Sequence, residues 1–185
     1  MLTFGNARKV AVVSVLVSVC LAVQLAPRLP NVEFTSLLTF VFGFLFGCVF
    51  GFLFGGFVMF VNGFFSPWGF AGLNLPFQML GMGVVGFVGG FYGRGVRGCV
   101  FGRMAFEASV VGALLTVFYD LLTNLGMALY YVLIGMSPDL ALVTAFVYGV
   151  PFSLIHVGSN FFVFGGLFFP LAKALNQGLM VKKVG

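Results

Sequence analysis

Residues 34–65 read FTSLLTFVFGFLFGCVFGFLFGGFVMFVNGFF, an apolar run interrupted only by a few Thr, Ser and Asn side chains. A single helix of that length would reach about 48 Å at 1.5 Å per residue, well beyond the ~30 Å hydrocarbon core of a bilayer. The run therefore predicts either two helices with a break inside it or one helix that protrudes from the membrane.

The distribution of basic residues distinguishes these two arrangements. With a break near Gly47 and Cys48, every Lys and Arg except Arg28 falls on one side of the membrane, and without the break that bias disappears. Cytoplasmic loops carry an excess of Lys and Arg, so we expect the break and two cytoplasmic termini together. The residues on the expected cytoplasmic side are Arg8, Lys9, Arg94, Arg97, Arg103, Lys173, Lys182 and Lys183.

The pattern predicts one all-α integral membrane domain over residues 1–185, a single bundle of six transmembrane helices. Outside loops are expected near 27–32, 66–75 and 135–139. The last two spans are long, yet each is too short to cross twice at about 20 residues a pass, so tilt or protrusion is expected. The candidate spans are 10–26, 33–46, 48–65, 76–92, 104–134 and 140–171.

The composition agrees with an integral membrane protein and is not that of a soluble domain. Of the 185 residues, 61% are hydrophobic and 7% are charged, and the mean hydropathy is +1.17, outside the range of soluble domains. These residues leave no room for a separate nucleotide-binding domain, so any ATP chemistry is expected from a partner. The net charge of +5 does not indicate nucleic-acid binding, because the basic residues stand in small groups beside apolar spans.

Three further patterns are interpreted as structural. Cys20, Cys48 and Cys99 stand alone, so neither a disulfide framework nor a metal site is predicted. Residues 7–26 resemble a signal peptide but are expected to remain as an uncleaved first helix. Residues 81–86 spell GxGxxG inside a membrane span, where helix packing is expected instead of a dinucleotide site.

Small residues recur along one face of the first span at spacings of three and four. In lipid such a stripe lets another helix approach closely, and that helix belongs either to a partner or to the same chain. Gly43, Gly47, Gly51 and Gly55 repeat the pattern and are expected to pack within the chain. The first-span stripe consists of Ala7, Ala11, Ser14, Ser18 and Ala22.

Two ionisable residues lie within spans, where burial is costly enough to make them functional candidates. Asp120 lies about 17 residues before the turn between the last two spans, and His156 lies about 18 residues after it. They should therefore share one depth near the middle of the membrane. Asn124, Ser153 and Asn160 lie on the same helix faces. We expect substrate contact, a structural Asp–His bond or a proton relay.

Further polar residues are expected in the outer half of the bundle. Asn62 and Gln78 lie at equal distances from an outside loop centred on residue 70, and Glu33 opens the second span on the same side. Trp68 lies on that loop, where an interfacial anchor and a ligand contact are equally consistent with its position.

The sequence resembles the substrate-binding S components of energy-coupling factor (ECF) transporters for vitamins and related micronutrients. The resemblance covers nearly the whole chain and is most specific in three segments. They are PNVEFTS at 30–36, NGFFSPWG at 62–69 and PFQMLG at 76–81. The second and third segments look most like the branch that includes cobalamin-type S components.

The resemblance implies a high-affinity binding subunit of an ABC importer in a prokaryotic cytoplasmic membrane. Its implied partners are a transmembrane coupling subunit, which contacts the small-residue stripe, and two ATPase subunits. The outer loops of such proteins close over the ligand. In this sequence Arg8 and Lys9 lie between Ala7 and Ala11, and Ser14 and Ser18 stand where Ala is more typical.

No enzyme motif is apparent, neither a Walker A sequence nor a GxSxG elbow nor an HExxH pair, so we do not expect catalysis or a cofactor. The main alternative is a self-sufficient channel or secondary transporter that uses Asp120 and His156 as a coupling pair.

Overall fold

The computed structural model describes residues 6–26, 31–67, 69–95 and 101–179. All regular secondary structure in these ranges is helical, which confirms the all-α expectation. The bounds of each helix agree with an expected span to within four residues, except that the last helix continues to Leu179, eight residues beyond the expected end at 171. The helices are α1 (Asn6–Leu25), α2 (Thr35–Phe46), α3 (Cys48–Phe65), α4 (Leu75–Gly95), α5 (Phe101–Leu133) and α6 (Pro138–Leu179), with one 3-10 turn at Gly72–Asn74.

Four segments of the described chain are long and apolar enough to cross a membrane, as expected of a multi-pass membrane protein. Two further apolar segments are shorter, Val13–Leu25 in α1 and Thr35–Phe46 in α2. The twelve residues of α2 reach only about 18 Å, so α2 alone does not match the thickness of a bilayer core. The four longer segments are Cys48–Phe65, Gly72–Gly95, Ala105–Leu133 and Pro138–Leu175.

The break in the apolar run lies where charge counting predicts it. Helix α2 ends at Phe46 and α3 begins at Cys48, so Gly47 alone separates them. Gly47 has φ 102° and ψ 170°, a backbone conformation that residues with a Cβ atom rarely adopt. Glycine at this position thus allows the chain to reverse direction within one residue.

Close glycine contacts join α2, α3 and α4. The backbones of Gly43 and Gly51 approach each other across the hairpin, and the backbone of Gly86 in α4 lies against both. Gly90 lies equally close to Cys48. A methyl group at any of these glycines would collide with backbone atoms of a neighbouring helix. The expected packing within the chain is therefore confirmed for Gly43 and Gly51, and also for Gly55, which lies against the backbone of Met82, whereas a Cβ at Gly47 would meet no atom within 4 Å.

The GxGxxG sequence is part of this same packing. Gly81 lies against the ring of Tyr119, Gly83 against the ring of Phe52, and Gly86 against the backbone of Gly51. All three glycines are buried within the continuous helix α4. The phosphate-binding turn of a dinucleotide site requires a strand followed by a loop, and these residues form neither.

The remaining bundle is an antiparallel pair, α5 and α6, which packs on α2 through aromatic rings. The ring centroid of Phe40 lies 5.4 Å from those of Phe164 and Phe168 on α6, both in edge-to-face geometry. Tyr92 of α4 lies 5.6 Å from the same Phe40 ring. This aromatic cluster fixes the position of α2 against α6. It therefore also determines which residues come into contact elsewhere along these two helices.

Candidate functional site

A polar cavity lies at the end of the bundle where α3 connects to α4. It has two adjoining compartments of about 570 and 360 Å³, within the usual size range of small-molecule sites. Both compartments are lined by Gln78, Tyr119 and His156. The larger one also contacts Glu33 and Asn62, and the smaller one contacts Asp120, Asn124 and Ser153.

Three ionisable side chains meet in the wall of this cavity. The Nδ1 atom of His156 lies 2.7 Å from Oδ1 of Asp120, and its Nε2 atom lies 3.2 Å from Oε1 of Glu33. All three residues are more than nine-tenths buried, with relative exposures of 5%, 8% and 6% for His156, Asp120 and Glu33. The expected proximity of Asp120 and His156 is confirmed. Glu33 contacts the other ring nitrogen, so the imidazole of His156 lies between two carboxyl groups.

Neighbouring hydroxyl groups position the network. Ser36, the second residue of α2, donates a hydrogen bond from Oγ to Oε1 of Glu33, the oxygen that also faces His156. Next to it, Thr35 donates to the side-chain oxygen of Gln24 on α1, so the start of α2 is tied to the first helix. On α6, Ser159 donates to the backbone oxygen of Asn31 over 3.0 Å. These bonds hold Glu33 where α1, α2 and α6 meet.

Several acceptor oxygens at this site have no hydrogen-bond partner within the described chain. The second carboxylate oxygen of Asp120, Oδ2, is one of them. The side-chain carbonyl oxygens of Asn62, Asn74 and Gln78 are the others that belong to cavity-lining residues. Buried acceptors without partners cost about 1–3 kcal/mol each and are rare in cores, so donors from water or from a ligand in the cavity would stabilise these oxygens.

One of the expected site residues lies outside the cavity. Asn160 is fully buried below the cavity and donates from Nδ2 to Oγ1 of Thr116 over 2.9 Å, a contact between α6 and α5. It does not line either compartment. Trp68 lies outside the described residues.

Some cavity residues were not assigned to the site from the sequence. Gln24 lines the larger compartment, and Asn31, Asn74 and Tyr119 line both. Gln24 is a polar side chain inside the first span, so the cost of burying it in lipid is a signal that would have singled it out. No comparable signal marks Tyr119, because an isolated Tyr is ordinary in a membrane helix.

The small-residue stripe of α1 points away from the rest of the bundle. Ala11, Ser14, Ser18 and Ala22 are all exposed, whereas Cys20 and Gln24 on the opposite face are buried. The side chain of Ala7 lies outside the described residues. Ser18 donates its hydroxyl to the backbone oxygen of Ser14 over 2.9 Å, which satisfies that polar group within the helix. The stripe is thus free of neighbours from the described chain, and another helix has room to pack on it.

No protein-family model matches the chain, and no curated protein shows significant similarity to it.

Proposed function

We propose that this chain is the substrate-binding membrane subunit of an ECF-type importer for a vitamin or related micronutrient. Ligand enters the polar cavity from outside, and a coupling subunit with two ATPase subunits drives its release inward. The chain performs no reaction itself. A cobalamin-type ligand remains a prediction that rests on sequence resemblance alone.

The observation that carries this proposal is the separation of two surfaces. The cavity with Glu33, His156 and Asp120 occupies one end of the bundle, whereas the exposed stripe lies on the outer face of α1. A binding subunit that depends on a partner needs both, a site for its ligand and a helix face for the partner. In lipid, small residues on such a face favour helix association.

The proposed topology has six spans in a prokaryotic cytoplasmic membrane, with both termini and the 93–103 connection inside and residues 66–75 outside. Reporter tags inserted after residue 70 and after residue 97 should therefore report opposite sides of the membrane, because α4 crosses it between them. A tag after residue 97 that reports the outside would contradict the six-span topology, since either α2 or α3 would then not cross.

The dependence on a partner has its own test. After cross-linking in native membranes, the tagged chain should be recovered with one further membrane subunit and two proteins that carry nucleotide-binding domains, identified by mass spectrometry. Substrate uptake into the same vesicles should require ATP. Recovery without any ATPase, together with uptake that persists after ATP depletion, would contradict the proposal.

A secondary transporter is the second candidate, and the 2.7 Å contact between His156 and Asp120 favours it. Buried His and Asp side chains in membrane helices form proton relays in such proteins. Proteoliposomes that contain the chain alone distinguish the two candidates. A secondary transporter should move substrate in response to a proton gradient, whereas a binding subunit should bind it without transport.

A further inference from the structure

Carboxamide side chains are concentrated around the polar cavity. Every Asn and Gln residue between positions 10 and 159 lines at least one of its two compartments. They come from α1, α3, α4, α5 and two connecting segments, so the tertiary structure brings them together. Polar side chains are costly in a membrane bundle, so this concentration indicates a binding surface. The residues are Gln24, Asn31, Asn62, Asn74, Gln78 and Asn124.

Glycines on α5 and α6 make room for two of these carboxamides. A methyl group at Gly126 would collide with the side-chain oxygen of Asn74, and one at Gly149 would collide with the carboxamide of Asn124. Both carboxamides therefore lie in recesses of the cavity wall that a larger residue would fill. The packing of α5 and α6 thus sets where these two polar groups lie.

The chemistry of a carboxamide selects the kind of ligand edge that fits it. Its oxygen accepts and its NH2 group donates, side by side in one plane and without charge. Asn and Gln side chains therefore form two parallel hydrogen bonds with a planar edge that offers a donor next to an acceptor, as they do with adenine. Rotation about the last side-chain bond exchanges the two groups, so a carboxamide fits either order of donor and acceptor.

Three of the cavity carboxamides have hydrogen-bonding capacity left for such an edge. The side-chain oxygens of Asn62, Asn74 and Gln78 are buried and have no partner within the described chain. A ligand towards which these groups rotate would supply the missing hydrogen bonds.

Aromatic and thioether side chains line the same compartment as these carboxamides. Aromatic rings and flexible thioethers pack well against the faces of flat rings. A planar heterocycle has apolar faces and a polar edge, so it matches both kinds of lining residue. A sugar matches them less well, because its hydroxyl groups point in several directions. The apolar lining residues are Met59, Phe70, Tyr119, Met127 and Phe152.

From these contacts we infer that the larger compartment binds a planar nitrogen heterocycle of the purine or pyrimidine type. The carboxamides of Asn62 and Gln78 bind an N–H donor and an adjacent acceptor on the edge of its ring. The inference rests on the proposed function for its biological role and names the substrate class of that binding subunit, which the sequence resemblance leaves open. Binding itself requires only this chain.

The test uses three neutral probes that share one ring system: 9-methyladenine, 9-methylhypoxanthine and 6,9-dimethylpurine. The first two present a donor next to an acceptor in opposite orders, and the third has no N–H group. Each is titrated into the purified full-length chain in detergent by calorimetry and thermal shift. Both N–H-bearing probes should bind roughly fivefold or more tightly than 6,9-dimethylpurine, because a bidentate pair with a carboxamide discriminates to about that extent.

Three outcomes would overturn the inference. One is equal affinity for all three purines, and another is no saturable binding of either N–H-bearing probe. The third is tighter binding of ribose than of 9-methyladenine, which would indicate a site for sugars. Because none of these probes carries a charge, the comparison does not depend on the charge of the ionisable residues in the cavity wall.

Matched variants locate the effect. Asn62→Leu and Gln78→Met keep the approximate size of the side chain and remove its hydrogen bonds, so the advantage of 9-methyladenine over 6,9-dimethylpurine should fall roughly fivefold in each. Thr144→Val makes a polar-to-apolar change on α6 at a residue that lines neither compartment, and it should keep the full advantage. Both affinities are measured on the same preparation, so their ratio does not depend on the fraction of folded protein. Full retention of the advantage in both cavity variants would overturn the inference.

The result is independent of the ATPase experiment. Selective binding of the N–H-bearing purines by a chain that associates with no ATPase would overturn the proposed importer role and leave the ligand class intact. An ATPase complex whose binding subunit does not distinguish the three purines would do the reverse.

Discussion

Gly86→Ala should strongly destabilise the protein although it adds a single methyl group. The added Cβ would collide with the backbone of Gly51, which belongs to the α2–α3 hairpin. A backbone cannot rotate out of the way as a side chain can, so α4 must separate from the hairpin. Overpacking typically costs about 1–3 kcal/mol, and this site should lie at or above the upper end.

The expected loss of stability is opposite in direction to the change that helix propensity predicts, so the measurement distinguishes the two. Alanine is favoured over glycine inside a helix by about 1 kcal/mol, so helix propensity alone predicts a gain in stability. Gly166→Ala on α6 is the matched control, because a Cβ there meets no atom within 4 Å. Thermal unfolding in detergent should show a lower melting temperature for Gly86→Ala and an unchanged or higher one for Gly166→Ala. Equal melting temperatures would show that the helices are not in contact at Gly86.

Ser18→Trp should weaken assembly with the proposed ATPase complex while the isolated chain stays folded and able to bind its ligand. Ser18 lies on the exposed stripe of α1, opposite the buried Cys20 and Gln24. A Trp side chain there would keep a partner helix from the close approach that small residues permit. A steric cost of about 1–3 kcal/mol corresponds to roughly a five- to 150-fold loss of association.

Two measurements separate docking from folding in this variant. Recovery of the ATPase subunits after cross-linking should fall, and the melting temperature of the purified chain should not change. Gly166→Trp introduces the same bulk at an exposed position on α6 and should assemble normally. If Ser18→Trp assembled as well as the control, the partner would contact another face of the protein.

The sequence alone was sufficient for the helices and for the break between α2 and α3. Hydropathy and the positions of Lys and Arg can be read from the order of residues in the sequence. A lipid environment constrains both of them directly. The shared depth of Asp120 and His156 also follows from the sequence, because each residue of a helix advances by a constant 1.5 Å from a common turn. Their hydrogen bond confirms that reasoning.

Only the tertiary structure decides which of the expected polar residues meet. Glu33 reaches His156 across 123 positions of sequence because glycine contacts set α2 against α4 and the Phe40 cluster sets α2 against α6. Asn160, one turn from His156, instead turns towards Thr116 and away from the cavity. Depth is a matter of counting residues along one helix, whereas the rotation of a helix about its axis depends on side chains from every helix packed against it.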